Sequence, residues 1–389
     1  MEFNSFWNST PYLVFLFYLL VFFSFELRCR KKRISILAIR YGVVSGLLFF
    51  LGGRGFVSSD WISYYPYFQE IPSFEISKTY KIIKFNTETA NFESGFNVFS
   101  SIIKIISSNY FIWIFVSTAI DIFIIDYFLA KYSRYYALGF ILFFVFNGVL
   151  MEMNIYRNMK SIGLFFLSLQ YVHKHRILSY FILNLLGMAF HTSSVIYLLL
   201  YPLWNSKFLV KLMLPIFIVG NILFLFHVKY IAQFFFVIQG DWLLGLQKYL
   251  IYIHNPEQYS LSIGYIERII TYVLIYKDLP QLLLNRKNIV YINAYILYFI
   301  SFFYFTEISV IVQRLTILFV FSYWILYPQL LNLIQNKKLK IICYCCLFIF
   351  CSFKVLITHQ GFINKYENIF FQPSLYEERL SWYQRMGRW

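Results

Sequence analysis

Negative charge is what this chain has least of. Only 18 of its 389 residues are Asp or Glu, and charged residues of both signs reach 13%, about half of the roughly 25% usual in soluble domains. A chain that is 60% hydrophobic and 23% aromatic cannot be wrapped in a charged shell by so few residues, which excludes an ordinary soluble protein and makes lipid part of the solvent. Cysteine is sparse too. Four of the five (Cys343, Cys345, Cys346 and Cys351) fall in one apolar run at spacings that match no metal pattern, so they read as small packing residues. The first apolar run follows Glu2 and Asn4, without a basic leader or a small-residue cleavage site, and reads as an anchor, not a removed signal. Internal repeats, low-complexity tracts and a soluble domain are absent from the sequence. What remains is an all-α polytopic integral membrane protein, expected as a single transmembrane domain over 1–389.

Apolar runs predict about twelve transmembrane helices, near 11–26, 34–51, 110–129, 135–150, 159–172, 177–189, 192–203, 208–226, 264–281, 289–306, 309–331 and 341–357. The short loops at 28–33, 131–134, 174–176, 207–211, 286–287 and 337–340 hold sixteen of the 34 Lys and Arg and no acid. The positive-inside tendency therefore puts these loops in the cytoplasm, and both termini with the long segments 52–109, 227–263 and 358–389 outside. Much of the formal net charge of +16 orients the chain, so it is not a footprint for nucleic acid.

The outward segments are where function is expected. Trp61, Tyr64, Tyr65, Tyr67 and Phe68 suit either stacking on sugar rings or an aromatic belt at the bilayer interface. Apolar positions recurring at helical spacing from Phe96 to Ile106 predict an interfacial helix over 95–107, and the tail from Leu375 to Trp389, with Arg379, Arg385 and Arg388 opposite Leu375, Leu380 and Tyr383, predicts another. Arg54, Arg157, Arg268 and Arg314 stand at or near outward ends of crossings, where a charge costs about 2.5–3.5 kcal/mol at membrane depth and needs a reason. A diphosphate would supply one, since guanidinium forks bind phosphate oxygens bidentately; snorkelling or pairing with Glu152, Glu267 or Glu307 is the plainer account. His191, followed by Thr192, Ser193 and Ser194, marks either a polar cluster in one long helix or the apex between two short ones, and the second fits the basic loop that follows. Asp60 and Glu93 are candidate bases or sugar-hydroxyl acceptors, with simple solvation as the alternative. Asp121 and Asp126 are expected to pair locally with basic groups.

In chain order, these motifs are Asp60, Trp61 and Tyr64; Glu93-Ser94-Gly95-Phe96; Asn154 and Arg157; His191-Thr192-Ser193-Ser194; and Gln313-Arg314-Leu315. Taken together they resemble the EpsG-like family of bacterial exopolysaccharide polymerases, which are Wzy-type membrane glycosyltransferases. The resemblance runs from about residue 50 to 320 and departs from the family where Asn158 replaces a common Gln and Leu318 a common Tyr. It implies a multi-pass protein of the bacterial plasma membrane that polymerises undecaprenyl-diphosphate-linked repeat units into exopolysaccharide, capsule or O-antigen at the outer face. His191, Glu93 and Asp60 would be the catalytic candidates; Arg157, Arg314, Arg54, Arg268, Tyr64 and Tyr156 would bind substrate. The donor carries its own activation, so no cofactor or metal is expected. The implied partners are the lipid-linked donor and acceptor glycans and membrane lipid, with a flippase and a chain-length regulator beside them and no nucleic acid. Two alternatives stay open: a transporter or flippase of the same lipid-linked oligosaccharide, and a single-sugar polyprenyl-phosphate glycosyltransferase or ligase.

Overall fold

A computed structural model describes residues 5–87, 92–231 and 261–386. Most of the expected outward segment 227–263, together with Arg388, lies outside the described residues. Those that are described form helices and no named strand; their one isolated bridge joins Arg54 to Asn368. By packing, the chain divides into two compact units: Met1–Leu200 with Ile334–Trp389, and Tyr201–Leu333.

The first unit is built on long apolar helices. α1 (Phe6–Lys32) starts where the Ser5 side chain accepts from Trp7 N and stops at Arg33, whose left-handed φ of 58° costs about 1–2 kcal/mol for a residue other than glycine. It packs against α7 (Tyr136–Phe143) and α20 (Lys337–His359). α2 (Leu37–Leu47), extended by a π-turn, and α6 (Tyr110–Tyr132) pack beside each other; α9 (Tyr156–His173) lies against α6 and α10 (Ile177–Met188). The helix begun by α7 is broken where Asn147 takes φ 66°, resumes as α8 (Val149–Asn154), and breaks again at Ile155 before α9. The segment 52–109 contains α3 (Trp61–Glu70), α4 (Thr79–Ile83) and α5 (Ser94–Ile106), and the chain ends in α21 (Tyr376–Met386). Between α10 and α11 (Val195–Leu199) the chain turns through a short 3₁₀ stretch, Thr192–Ser194.

The second unit comprises α12 (Tyr201–Trp204), α13 (Phe208–Lys211), α14 (Met213–Leu225), α15 (Ile263–Lys277), α16 (Leu279–Leu283), α17 (Asn288–Phe303), α18 (Ser309–Phe319) and α19 (Phe321–Leu333). α17 is its axis, packed on by α14, α18 and α19. The side-chain amide of Asn293, inside α17, donates to the carbonyls of Leu203 (2.6 Å) and Ser206 (2.8 Å), satisfying backbone that the short helices leave open.

Each of the twelve apolar runs is helical, yet among the described residues only four helices are long and apolar enough to span a bilayer: Phe6–Lys32, Tyr110–Tyr132, Tyr136–Asn154 and Lys337–His359. A fifth appears if α18 and α19, bent by 52°, count as one span. Helix length therefore supports fewer than twelve spans among the described residues, because expected crossings such as 177–189, 192–203 and 208–226 form helices shorter than the roughly 20 residues that span a bilayer. A polytopic, all-helical membrane protein stands.

Tertiary packing corrects several expectations. Trp61, Tyr64, Tyr67 and Phe68 are buried with Phe56, Phe96, Tyr110 and Trp113 in an aromatic core, so these rings are neither open to sugar nor arranged as a belt. α21 lies on that core, with Tyr376 stacked on Tyr65 at 4.2 Å. Arg379 does not line a polar face of the tail. It is 3% exposed, donates to Phe56 O (3.0 Å) and Lys365 O (2.7 Å), and pairs with Glu367 (3.2 Å). Asp126 and Asp121 are paired, but across helices: Asp126 with Arg40 (2.7 Å) and Asp121 with Lys160.

Candidate functional site

Four of the five motifs meet in the first unit, and the reason is local. The break at Ile155 puts Arg157 in the first turn of α9, whose start carries no side-chain cap and no acid. Its unsatisfied N–H groups and positive dipole end favour an anion there. Arg157 pairs with Glu93, the residue before α5, and its Nε donates to the Tyr64 hydroxyl at 3.4 Å. The guanidinium lies over the Phe92 ring, 4.4 Å from its centroid, which fixes its plane. Arg157 and Glu93 stay 22% and 19% exposed, enough for a ligand to reach both. Burial pushes the Tyr64 phenol well above its ordinary pKa, and the Arg157 charge only partly opposes this, so the hydroxyl keeps its proton and remains a donor. Tyr156 backs the cluster with its ring 4.4 Å from that of Tyr64 and is itself buried.

His191 arrives at the apex of the turn between α10 and the 3₁₀ stretch, as the two-short-helix reading predicts. Its Nδ1 accepts from Ser193 N (3.2 Å) and contacts Ser193 Oγ (2.8 Å), while Ser193 Oγ donates to Asn158 Oδ1 (2.8 Å) on α9. With Nδ1 accepting from the Ser193 N–H, the hydrogen of the neutral ring sits on Nε2. The same turn is tied to the Glu93 motif by Gly95 N, which donates to Ala189 O at 2.8 Å. A Cβ on Gly95 would lie 2.6 Å from that oxygen and 2.7 Å from Ala189 Cβ. Gly95→Ala should therefore push α5 away from the turn, lowering stability by about 1–3 kcal/mol and turnover by about 10²-fold through misplacement of Glu93. Thermal unfolding and initial rates check both; unchanged values would show that the close approach does not matter.

Asp60 opens α3 one turn before Tyr64 without capping it through its side chain. Its neighbour Ser59 is tied to the cluster by donating N–H to Asn154 Oδ1 (3.3 Å). Ser58 and Asn154 also wall a cavity of about 210 Å³ whose other polar residues include Asn147, Lys354 and His359. His359 is buried and stacks on Tyr12 at 3.9 Å.

The remaining arginines are placed differently. Arg54 is 2% exposed; its fork bonds Leu51 O, Thr118 Oγ1 (2.9 Å) and Glu152 O, so it braces three elements and does not face a ligand. In the second unit, Arg268 donates to Gly264 O and to the Tyr298 hydroxyl (both 2.7 Å) and lies 3.9 Å from the Phe302 ring centroid. Arg314 is exposed on α18 and forms no ion pair among the described residues. Glu307, its plainest partner by sequence, accepts instead from Tyr230 N and Ile231 N. One residue escaped the sequence reading. Lys160, a turn beyond Arg157, is buried and bonds Asp121 and Ser117 O (2.9 Å), and the signal was there, since a lysine inside an apolar run demands a partner.

The fold is that of a polytopic membrane protein, and its motif residues gather a cation, a carboxylate, a histidine and a phenolic hydroxyl around one helix start. Residues 37–368 match the EpsG family, and the chain belongs to it, a family of exopolysaccharide polymerase-like membrane proteins. No curated protein and no solved structure matches the chain significantly.

Proposed function

We propose that the protein joins two undecaprenyl-diphosphate-linked glycans at the outer face of the bacterial plasma membrane, lengthening the polysaccharide by one repeat per turn. The observation that carries this reading is the Arg157–Glu93 pair at the uncapped start of α9, because it sets an anion site against a carboxylate base. The non-reducing-end hydroxyl of the acceptor attacks the anomeric carbon of the donor. The bond from that carbon to the diphosphate oxygen breaks, its electron pair leaves with undecaprenyl diphosphate, and the hydroxyl proton passes to Glu93. Arg157 and the α9 N–H groups take up the charge that develops on the leaving group. A diphosphate that draws Arg157 away frees Glu93 for this task. His191, with its proton on Nε2, serves as a hydrogen-bond donor to substrate, Asp60 accepts from an acceptor hydroxyl, and the cavity behind Asn154 offers polar walls for a sugar ring. We also assign Arg314, exposed on α18 of the second unit, to substrate binding. Lipid-linked repeats further imply a flippase to deliver them and a regulator of chain length.

Purified protein in lipid nanodiscs, given a synthetic lipid-linked repeat, should yield a ladder of products. One added sugar would favour a single-sugar transferase, and transport without growth a flippase. Glu93→Gln, which keeps the shape and removes the base, should slow the ladder by about 10²–10⁴-fold; a wild-type rate would move the base elsewhere.

A further inference from the structure

Far along α1 from Ser5, the fold holds a second constellation that polymerisation does not use. The end of α1, the turn into α2 and the start of α7 enclose an open cavity of about 730 Å³, lined by Arg30, Lys31, Arg33 and Arg134 and containing no acid in its lining. One cation is already spent. Glu26, fully buried, pairs with Arg30 (2.7 Å) and accepts from Tyr136 N and Ala137 N (2.8 and 2.7 Å), so its charge is consumed by that arginine and by the first turn of α7. Lys31 and Arg33 form no ion pair among the described residues.

Two observations separate this cavity from a merely solvated basic loop. The first is Arg33, which ends α1 in the left-handed conformation, with Ile34 N bonding back to Cys29 O at 2.9 Å. Glycine is the residue that takes this position without strain, so the chain holds a guanidinium at the cavity lip at a conformational cost. The second is the rim. Among the lining residues Ile34 is 55% exposed and Leu27 and Ile36 are half-buried, which gives the cations an apolar border. A phosphate with acyl chains attached matches both parts, whereas a free anion would gain nothing from the rim.

We propose that this cavity binds the headgroup of an anionic phospholipid, with the phosphodiester on Lys31 and Arg33 and the acyl chains along the exposed apolar residues beside them. The site is separate from the Arg157–Glu93 cluster and stands whether or not the polymerase reading does.

The test uses the full chain in detergent, titrated with short-chain phosphatidylglycerol or phosphatidylcholine and read by native mass spectrometry. Phosphatidylglycerol should bind more tightly. Each cation near anionic lipid is worth about fivefold, so Lys31→Ala with Arg33→Gly should weaken phosphatidylglycerol roughly 25-fold. Lys174→Ala with Arg176→Ala, which removes two charges from another exposed basic loop, should leave binding unchanged. Arg33→Gly alone should raise the melting temperature of lipid-free protein while weakening the lipid, a pair of opposite signs that simple misfolding does not produce. Equal losses from the two double variants, equal affinity for the two lipids, or displacement of phosphatidylglycerol by millimolar inorganic phosphate would each overturn the proposal.

Discussion

Arg157→Ala should abolish the product ladder, and Arg157→Lys should not rescue it. The guanidinium reaches Glu93 through Nη1 and Tyr64 through Nε while lying over Phe92. A lysine ammonium is a point charge without a planar fork and cannot hold both partners and the ring at once. Removing a preorganised donor aimed at developing charge typically costs about 10²–10³ in turnover. Arg157 meets a charge that develops only as the leaving group departs, so the loss should fall on turnover more than on substrate affinity. The fold should survive, because Arg157 is partly exposed and the helix it begins is held by contacts with α6 and α10. Measured by initial rates with the lipid-linked repeat, a near-wild-type ladder from Arg157→Ala would falsify the diphosphate clamp.

Lys160→Met should produce the largest loss of stability. Lys160 and Asp121 are 5% and 3% exposed and bonded to each other between α9 and α6, and Asp121 Oδ1 has no hydrogen-bond partner among the described residues. Removing only the lysine leaves a buried carboxylate without a counter-charge, at a cost of about 3–5 kcal/mol. Replacing both, as Lys160→Met with Asp121→Leu, should restore most of that, because a well-packed apolar pair avoids the desolvation that the ion pair bears. Chemical unfolding in detergent compares the three proteins. A single variant as stable as the parent would show that the two charges do not depend on each other. Since Lys160 follows Arg157 on the same helix, the single variant should also lose activity and the double variant regain it, which separates support of the site from direct contact with substrate.

The sequence was most informative where physical cost was highest. A charge near the end of an apolar run is expensive, so Arg157 could be singled out by cost, and Glu93 by the resemblance, before their contact was known, while the turn at His191 followed from the basic loop after it. It was least informative where a residue has two inexpensive fates. An aromatic run suits a sugar, an interface or a core equally well, and only the surrounding Phe56, Phe96, Tyr110 and Trp113 decide for the core at Trp61–Phe68. An arginine near a helix end serves a ligand or a carbonyl, and Arg54 and Arg379 proved to brace backbone that the chain brings to them from far away in sequence.

Composition and the order of motifs were sufficient to establish a helical membrane protein and its kinship, because solvent partition and residue chemistry are properties of the chain itself. Tertiary structure decided which of those residues touch. The breaks at Asn147 and Ile155, the close approach at Gly95 and the turn at His191 bring Tyr64, Glu93, Arg157 and Asn158 together across 94 residues of sequence. Hydropathy is blind to such breaks, since a helix interrupted by one residue is as apolar as one that is not.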